Sequence, residues 1–453
     1  MAKTQGNFLI TDLRIPYKSF NSAVSTDLAF QDGANVLTTI PGYLEKRPGF
    51  ATVAVPGTFT GTIKIIYLWH RVSGTETDYF AMVCSADSSK SYVYKFQFGS
   101  DVSAVLIHTC TTSNTPFYFV DSDQTCYFGK DDVANEMWEY NGTTLSKWGI
   151  AAPTVVPTVS LSAGSLDITV GWFYRYGYYN SSTGHLSTLS DVSACTGAAT
   201  SKQVGVGVTA STDAQVDKIR VFRTTDGGSD DPSSMQELPN SPFANTTTTI
   251  TDTAADTDLL DVFGPGFLQN DPPPAMKPLC VSQNRIWGIA GSTLYYSGFE
   301  EIGNGVPEES FPSGLDGNSR PYPSPLYGLA PTTTGVAIFS AKKIFGVDGD
   351  SLDTFRWGSI LEKRGTKFPT NVASVGGSIV WLDTSKQVWL SDIGEMGGDI
   401  RTDTKLFSPS LTQIAIHNSG EFNWVVFMDG ITVSCSLPTW TISTGWFRGP
   451  SVG

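Results

Sequence analysis

The sequence predicts an all-β protein on three observations. Short apolar runs are joined by tight turns, that unit recurs through the C-terminal half, and a central stretch alternates apolar with polar residues instead. Composition agrees: of 453 residues 45 are Gly and 25 Pro, 12% are aromatic and only 16% charged, so turn and strand formers outweigh helix formers.

The recurring unit is clearest from Cys280 to Tyr296. Ile286 to Ala290 forms one apolar run, Gly291 to Thr293 a turn, and Leu294 to Tyr296 a second run, which together read as a β-hairpin. The same pattern returns at Val336–Phe339 with Ile344–Val347, at Ile379–Leu382 with Val388–Leu390, and at Val425–Met428 with Ile431–Val433. First strands starting at 286, 336, 379 and 425 are spaced by 50, 43 and 46 residues, the period of a β-propeller blade. Blades pack face to face, so their inner strands are covered on both sides and read as continuous apolar runs. Trp287, Phe339, Trp381 and Trp389 are the expected blade-core residues.

Taken in order, residues 1–40 read as an extended arm, interrupted by Pro16 and Gly33. Residues 41–150 open the propeller. Pro41-Gly42 and Pro48-Gly49 are turn formers, with Pro setting φ and Gly accepting a positive φ. Arg47 is either a solvated turn residue or an anchor for backbone carbonyls. The apolar runs from Ile63 to Tyr140 pair into three further blades.

Residues 151–270 differ. After the linker at Ala151 to Pro157, Ile168, Val170, Trp172, Tyr174, Tyr176 and Tyr178 all fall on even positions of one long predicted strand, 166–180. Val204, Val206 and Val208 alternate with glycines, and Ile219 and Val221 with Lys218 and Arg220, as in a sheet with one covered face. Six such strands predict an inserted fibronectin- or immunoglobulin-like sandwich with Trp172, Tyr174 and Tyr176 in its core. The stretch DTAADTDLLD, with Asp252, Asp256, Asp258 and Asp261, lacks the register of a calcium loop and is expected to be solvated; Asp348, Asp350 and Asp353 receive the same reading. Residues 271–453 return through Pro272-Pro273-Pro274 to a propeller of six or seven blades in all.

Chemistry is sparsely signalled. The four histidines, at 70, 108, 185 and 417, have no ligand spacing, and no phosphate-binding or nucleophile-elbow motif occurs, so neither a metal, a cofactor nor an enzymatic activity is expected. Paired carboxylates of a glycosidase cannot be singled out from 43 acidic residues. A net charge of −14 argues against a general basic surface for nucleic acid. The six scattered cysteines read as reduced and buried, and without a signal-like or spanning apolar run the chain is expected to be made in the cytosol.

Four motifs carry a resemblance: Arg47-Pro48-Gly49 within GYLEKRPGF, Trp172 to Ser190 (WFYRYGYYNSSTGHLSTLS), Lys218 to Gly228 (KIRVFRTTDGG), and Pro272 to Ser297 with its N-R-I-W and Y-Y-S. In this order they resemble the tail nozzle or hub proteins of short-tailed bacteriophages, the tail tubular protein B type. The resemblance implies a structural virion protein, made in the host cytoplasm and built into the tail as a ring, a hexamer. Its partners would be a portal-adaptor ring above and tail fibre or needle proteins, with DNA leaving through the lumen without sequence-specific binding. The competing expectation is a carbohydrate-binding or glycan-cleaving propeller.

Overall fold

The computed structural model describes residues 59–260, 270–298, 306–312 and 318–384 apart from short gaps, and the backbone of the strands at 36–37, 45–46, 388–392, 399–401, 413–418, 423–429 and 432–436. The protein is nearly all β. Among the described residues no helix is long and apolar enough to cross a membrane. Arg47, Pro48 and Gly49 lie outside the described residues.

Strands β1 (Val36–Leu37) and β2 (Glu45–Lys46) pair as a short ribbon. Two four-stranded antiparallel meanders follow: β3 (Thr62–Ser73), β4 (Glu76–Ala86), β5 (Ser91–Gln97) and β6 (Val105–Cys110), then β7 (Tyr118–Ser122), β8 (Thr125–Gly129), β9 (Met137–Tyr140) and β10 (Leu145–Lys147). Three blades were expected from this stretch; the runs assemble in fours, giving two sheets.

Next come two sheets that share one core. β11 (Thr158–Ile168), β12 (Tyr174–Asn180), β13 (His185–Leu186), β14 (Ala199–Gly207), β15 (Lys218–Arg223), β16 (Gln236–Glu237), β17 (Phe243–Ala244) and β18 (Thr249–Asp252) pair as β11-β14-β18 and as β13-β12-β15-β16, with β17 also on β15.

Meanders then resume. β19 (Leu279–Ser282), β20 (Arg285–Ala290), β21 (Thr293–Tyr296) and β22 (Ser319–Pro321) form one sheet. β23 (Leu326–Pro331), β24 (Gly335–Ser340), β25 (Lys343–Asp348) and β26 (Arg356–Glu362) form a second. β27 (Val372–Val375), β28 (Ser378–Leu382), β29 (Val388–Asp392) and β30 (Asp399–Arg401) form a third, and β31 (Gln413–Asn418), β32 (Asn423–Asp429) and β33 (Thr432–Ser436) a three-stranded last sheet. The recurring hairpins of the sequence are therefore the second and third strands of their sheets, at β20-β21, β24-β25, β28-β29 and β32-β33. Strands with a hydrogen-bonded neighbour on both edges and a packed layer on their faces have no room for polar side chains.

The chain divides into two compact units, Val55–Pro323 and Met1–Ala54 with Ser324–Gly453. In the first, Trp69, Phe80 and Met82 of the first meander meet Phe119, Cys126 and Phe128 of the second. The other face of the second meander, with Val120, Tyr127 and Met137, packs on Leu279 and Ile286 of β19 and β20 through Trp148, Met276 and Phe311. Strand β8 thus spends Cys126 and Phe128 on one neighbour and Tyr127 on the other. Lys130, wholly buried, ties these sheets together by donating to Ser91 Oγ at 3.1 Å and to the carbonyls of Ser113 and Thr115. In the second unit Ala337 and Phe339 of β24 pack on Ile379 and Trp381 of β28. Trp287 is buried against Tyr296, ring centroids 4.8 Å apart. Trp389 lies on β29, and its side chain is outside the described residues.

The predicted strand 166–180 is two strands in two sheets. β11 ends at Ile168, the chain crosses through Thr169 to Phe173, and β12 begins at Tyr174. Ile168, Trp172, Tyr174, Tyr176 and Tyr178 all reach the shared core, with Val204, Val206, Ile219, Val221 and Ile250. Val170, on the same parity, is 61% exposed. The reason is local: Gly171 takes a φ of +140°, where a Cβ would sit 2.3 Å from Cys195 Sγ, so the two-residue period breaks there.

Candidate functional site

Polar side chains buried in a β-protein must be satisfied locally, so those that remain in the core mark where the sequence has committed chemistry. Beside those of the meanders, such as Lys130 and Arg285, they form three groups in and around the sandwich.

The first centres on Arg223, the last residue of β15, which is fully buried. Its Nε lies 2.9 Å from Asp252 Oδ2, its Nη1 is 2.5 Å from Asp256 Oδ1, and Nη2 donates to the Ala254 carbonyl at 2.7 Å. The guanidinium lies 4.0 Å from the centroid of the Trp172 ring, and Tyr174 donates its hydroxyl to Asp252 at 2.8 Å. Of the acidic stretch expected to be solvated, Asp252, 2% exposed at the end of β18, and Asp256 are instead counter-ions of a core arginine, whereas Asp258 is exposed as expected and Asp261 lies outside the described residues. Burial and the Asp252 charge push the Tyr174 phenol far above its ordinary value, so it stays a donor.

Next to it, Asp226 clasps the sheet-to-sheet crossing. Its carboxylate accepts from the backbone N–H groups of Thr169, Val170 and Gly171 at 2.6, 2.9 and 2.8 Å. Burial works against ionisation, yet these donors outweigh it and hold the carboxyl down at about 2. Asp226 in turn donates its own N–H to Asp256 at 2.7 Å, so clasp and arginine network are one assembly.

The second place is a hydroxyl ladder. Ser187, Ser190, Ser193 and Thr196 donate their backbone N–H groups to the carbonyls of Tyr178, Tyr176, Tyr174 and Trp172. Their hydroxyl oxygens accept from the N–H groups of the same four residues at 2.9–3.2 Å. Each hydroxyl then donates to the carbonyl one residue on. Three residues of this segment match two of β12, so the free edge of the aromatic strand is sealed by a chain that is not itself a strand. The signal was present in the sequence as a hydroxyl at every third position, a period that a search for strands and helices passes over.

The third place is the seam where the sandwich meets the meanders of its own unit. His185 at the start of β13 is fully buried; its Nδ1 accepts from the Val306 N–H at 3.2 Å and lies 3.6 Å from Glu309 Oε2. Glu309, in the 3₁₀ turn Pro307–Glu309, is buried, and that burial, with the charge of Glu139 on β9 adding to it, pushes its carboxyl well above the ordinary range. Asn270 holds the Leu186 carbonyl, and Gln215 donates to the carbonyl of Gly149 at 2.8 Å. Trp148 donates its ring N–H to the Glu308 carbonyl at 2.8 Å, and Gly149, at φ +77°, leaves no room for a Cβ against the Glu309 carbonyl.

Of the residues singled out from sequence, Trp172, Tyr174 and Tyr176 come together in the sandwich core, and Trp287, Phe339 and Trp381 are buried in separate meander sheets. Arg223, Asp226, His185 and Glu309 were not singled out as sites. Asp348 and Asp350 accept from Thr334 and Thr354 hydroxyls, and among the described residues no cluster could hold a metal ion. Cys84, Cys110, Cys126 and Cys280 are free and buried; Cys195 is free and exposed.

No family model and no curated protein matches the chain. Among solved structures it is similar to apo AztD from Citrobacter koseri, at 11% identity over 85% of this chain and 88% of that one, with a TM-score of 0.34. It is also similar to Sqt1 of Saccharomyces cerevisiae, at 10% identity over 77% of this chain and 78% of that one, with a TM-score of 0.29. Likeness at this level carries no argument about the chain.

Proposed function

We propose that the chain is a structural component of a short-tailed bacteriophage tail, of the nozzle or hub kind, assembling as a ring around a DNA-exit channel. In this reading the meander sheets are propeller blades and the sandwich is an immunoglobulin-type insertion. The β11–β14 and β12–β15–β16 pairings support the latter, since they have the B–E and C–F–G neighbours of such a sandwich.

One observation carries the proposal: within the described residues, the motifs of the resemblance are spent on holding the fold. KIRVFRTTDGG supplies Arg223 and Asp226, the centre of the ion network and the clasp. WFYRYGYYNSSTGHLSTLS supplies the aromatic strand and the hydroxyls that seal it. In N-R-I-W and Y-Y-S, Arg285 donates to the Ser297 carbonyl at 2.8 Å while the Ser297 hydroxyl accepts from Ile286 N–H. A chain whose shared signature is a scaffold suits assembly better than turnover. The net charge of −14 fits a lumen that repels phosphate, and a permanent ring of this kind would bury on the order of 2,000 Å² per interface.

Electron microscopy and light scattering of the purified chain, alone and mixed with a portal-adaptor ring, test the proposal. Ring-shaped six-fold particles on the adaptor are expected. A chain that stays monomeric with the adaptor, yet binds or cleaves glycans in a manner abolished by one carboxylate substitution, would replace this reading with the carbohydrate one. Tight duplex-DNA binding at about 150 mM salt would remove the repelling lumen.

A further inference from the structure

Strand β11 leaves one edge of the sandwich open. Among the described residues it pairs with β14 alone, so its other edge has no strand beside it. In a sheet of the A-B-E-D kind, with β11 and β14 standing as B and E, that place belongs to strand A. Natural edges are blunted with charge, proline or a bulge. The edge strand β3 carries Lys64 and Arg71, and β26 carries Arg356 and Glu362. From Thr158 to Ser162, β11 has neither charge nor proline, and its register first shifts beyond Ala163.

The hydrogen-bonding parity of this edge follows from its neighbours. Val208 donates its N–H to the Thr248 carbonyl, in line with the pairing of Val206 with Ile250 and Val204 with Asp252. The even residues of β14 therefore turn their peptide groups toward β18, and its odd residues, Gly207, Gly205 and Gln203, bond Thr158, Ser160 and Ser162 of β11. That leaves the N–H and C=O groups of Val159 and Leu161 pointing outward.

The core is incomplete at the same place. Val159 and Leu161 lie opposite Val206 and Val204, on the core face. Both β14 valines are wholly buried, whereas Leu161 is 38% exposed. Thr158, Ser160 and Ser162 line the outer face and are exposed. What fits this edge is an extended, uncharged segment with apolar residues at alternate positions, and β11 itself is such a segment.

We propose that β11 is a docking edge for the same strand of a second copy, antiparallel about a two-fold axis at Ser160. In that register Val159 faces Leu161 of the second copy, and each exchanges both backbone hydrogen bonds with the other. Ser160 meets Ser160 of the second copy as the non-hydrogen-bonded pair, and Thr158 meets Ser162. Apolar side chains then face apolar ones on the core side, hydroxyls face hydroxyls on the outer side, and no like charges are opposed. Slipping by one residue would set outward peptide groups against groups already bonded to β14. Pro157, which lacks an N–H, and the register shift beyond Ala163 bound the segment at equal distances from Ser160, so its own ends select this register. The inference stands apart from the virion reading, since it concerns a two-fold pairing and not a ring, and its test reads β11 alone.

Hydrogen exchange of the full-length chain, compared between dilute and concentrated solution, reads the edge directly. The Val159 and Leu161 amides should gain about tenfold or more protection on concentration, while the Ser160 amide, already bonded to β14, stays unchanged. A disulfide tests the register. Non-hydrogen-bonded cross-strand pairs hold their Cα atoms about 4.5 Å apart, within the span of about 4.4–6.8 Å that a disulfide bridges. In a Cys195→Ser background, which removes the exposed thiol, Ser160→Cys should give a linked dimer under mild oxidation. Ser162→Cys, whose two copies would stand about 13 Å apart, should not. Both positions are exposed, so neither variant touches the core. Val159 and Leu161 amides that are equally protected at every dilution, equally open at every concentration, or protected only when another protein is added overturn the proposal, as does linkage of Ser162→Cys as ready as that of Ser160→Cys.

Discussion

Replacing Arg223 by Met tests whether Asp252, at the end of β18, and Asp256 are counter-ions or solvated carboxylates. The substitution keeps most of the side-chain length but removes the charge facing Asp252 and Asp256. Asp252, 2% exposed, would keep the Tyr174 hydroxyl at 2.8 Å and the Ala254 N–H at 2.9 Å, but no cation. Breaking a buried pair from one side costs about 3–5 kcal/mol, because the remaining charge is neither hydrated nor neutralised. Asp256 adds little to that figure, since it is about one-third exposed and solvent screens it. Native-state hydrogen exchange at Val204, Val206 and Ile219 of the full-length chain would report the loss as about a hundred- to several-thousand-fold less protection. Adding Asp252→Asn should recover about half, because the double variant buries no uncompensated carboxylate. A cost below about 1 kcal/mol for Arg223→Met, or a double variant equal to the sum of the singles, would refute the network.

Gly171→Ala forces a side chain into φ +140° and against Cys195 Sγ, and should destabilise the sandwich by about 2 kcal/mol or more, read by the same exchange. Ser190→Ala removes one rung of the ladder and leaves the buried Tyr176 N–H without its acceptor; about 1–2 kcal/mol should be lost locally, while the exposed Ser182→Ala changes nothing beyond about 0.5 kcal/mol. Because the Asp226 carboxyl is depressed, the clasp contributes stability above the ordinary carboxylate value that disappears as pH falls toward 2. Exchange at Thr169 to Gly171 should accelerate there before the core amides do. Trp381→Ala, which empties a buried site beside Phe339, should cost about 3–5 kcal/mol in thermal or chemical unfolding.

Two kinds of signal in this chain behaved differently. Hairpins whose central strands are covered on both faces announce themselves as continuous apolar runs, and β20, β24 and β28 were readable as strands for that reason. Their outer partners, such as β22 with its exposed Ser319 to Pro321, carry no such pattern, because an edge strand can accept almost any residue that spares its hydrogen bonds. Turns were legible where glycine made them, as at Gly291. They were silent where Asp123-Gln124 and Gln283-Asn284 take positive φ without it.

What the sequence determined by itself was the local bias: all-β composition, the meander period, and which side chains of Trp172 to Tyr178 turn inward, since these depend on neighbours two or three residues away. Only the tertiary structure decided the partners of the buried polar groups. Asp252 and Arg223 are 29 positions apart, and His185 meets Val306 across 121 positions of the same unit. An acidic loop is solvated or buried according to what the fold brings opposite it, and a spacing in sequence contains no record of that distance in space.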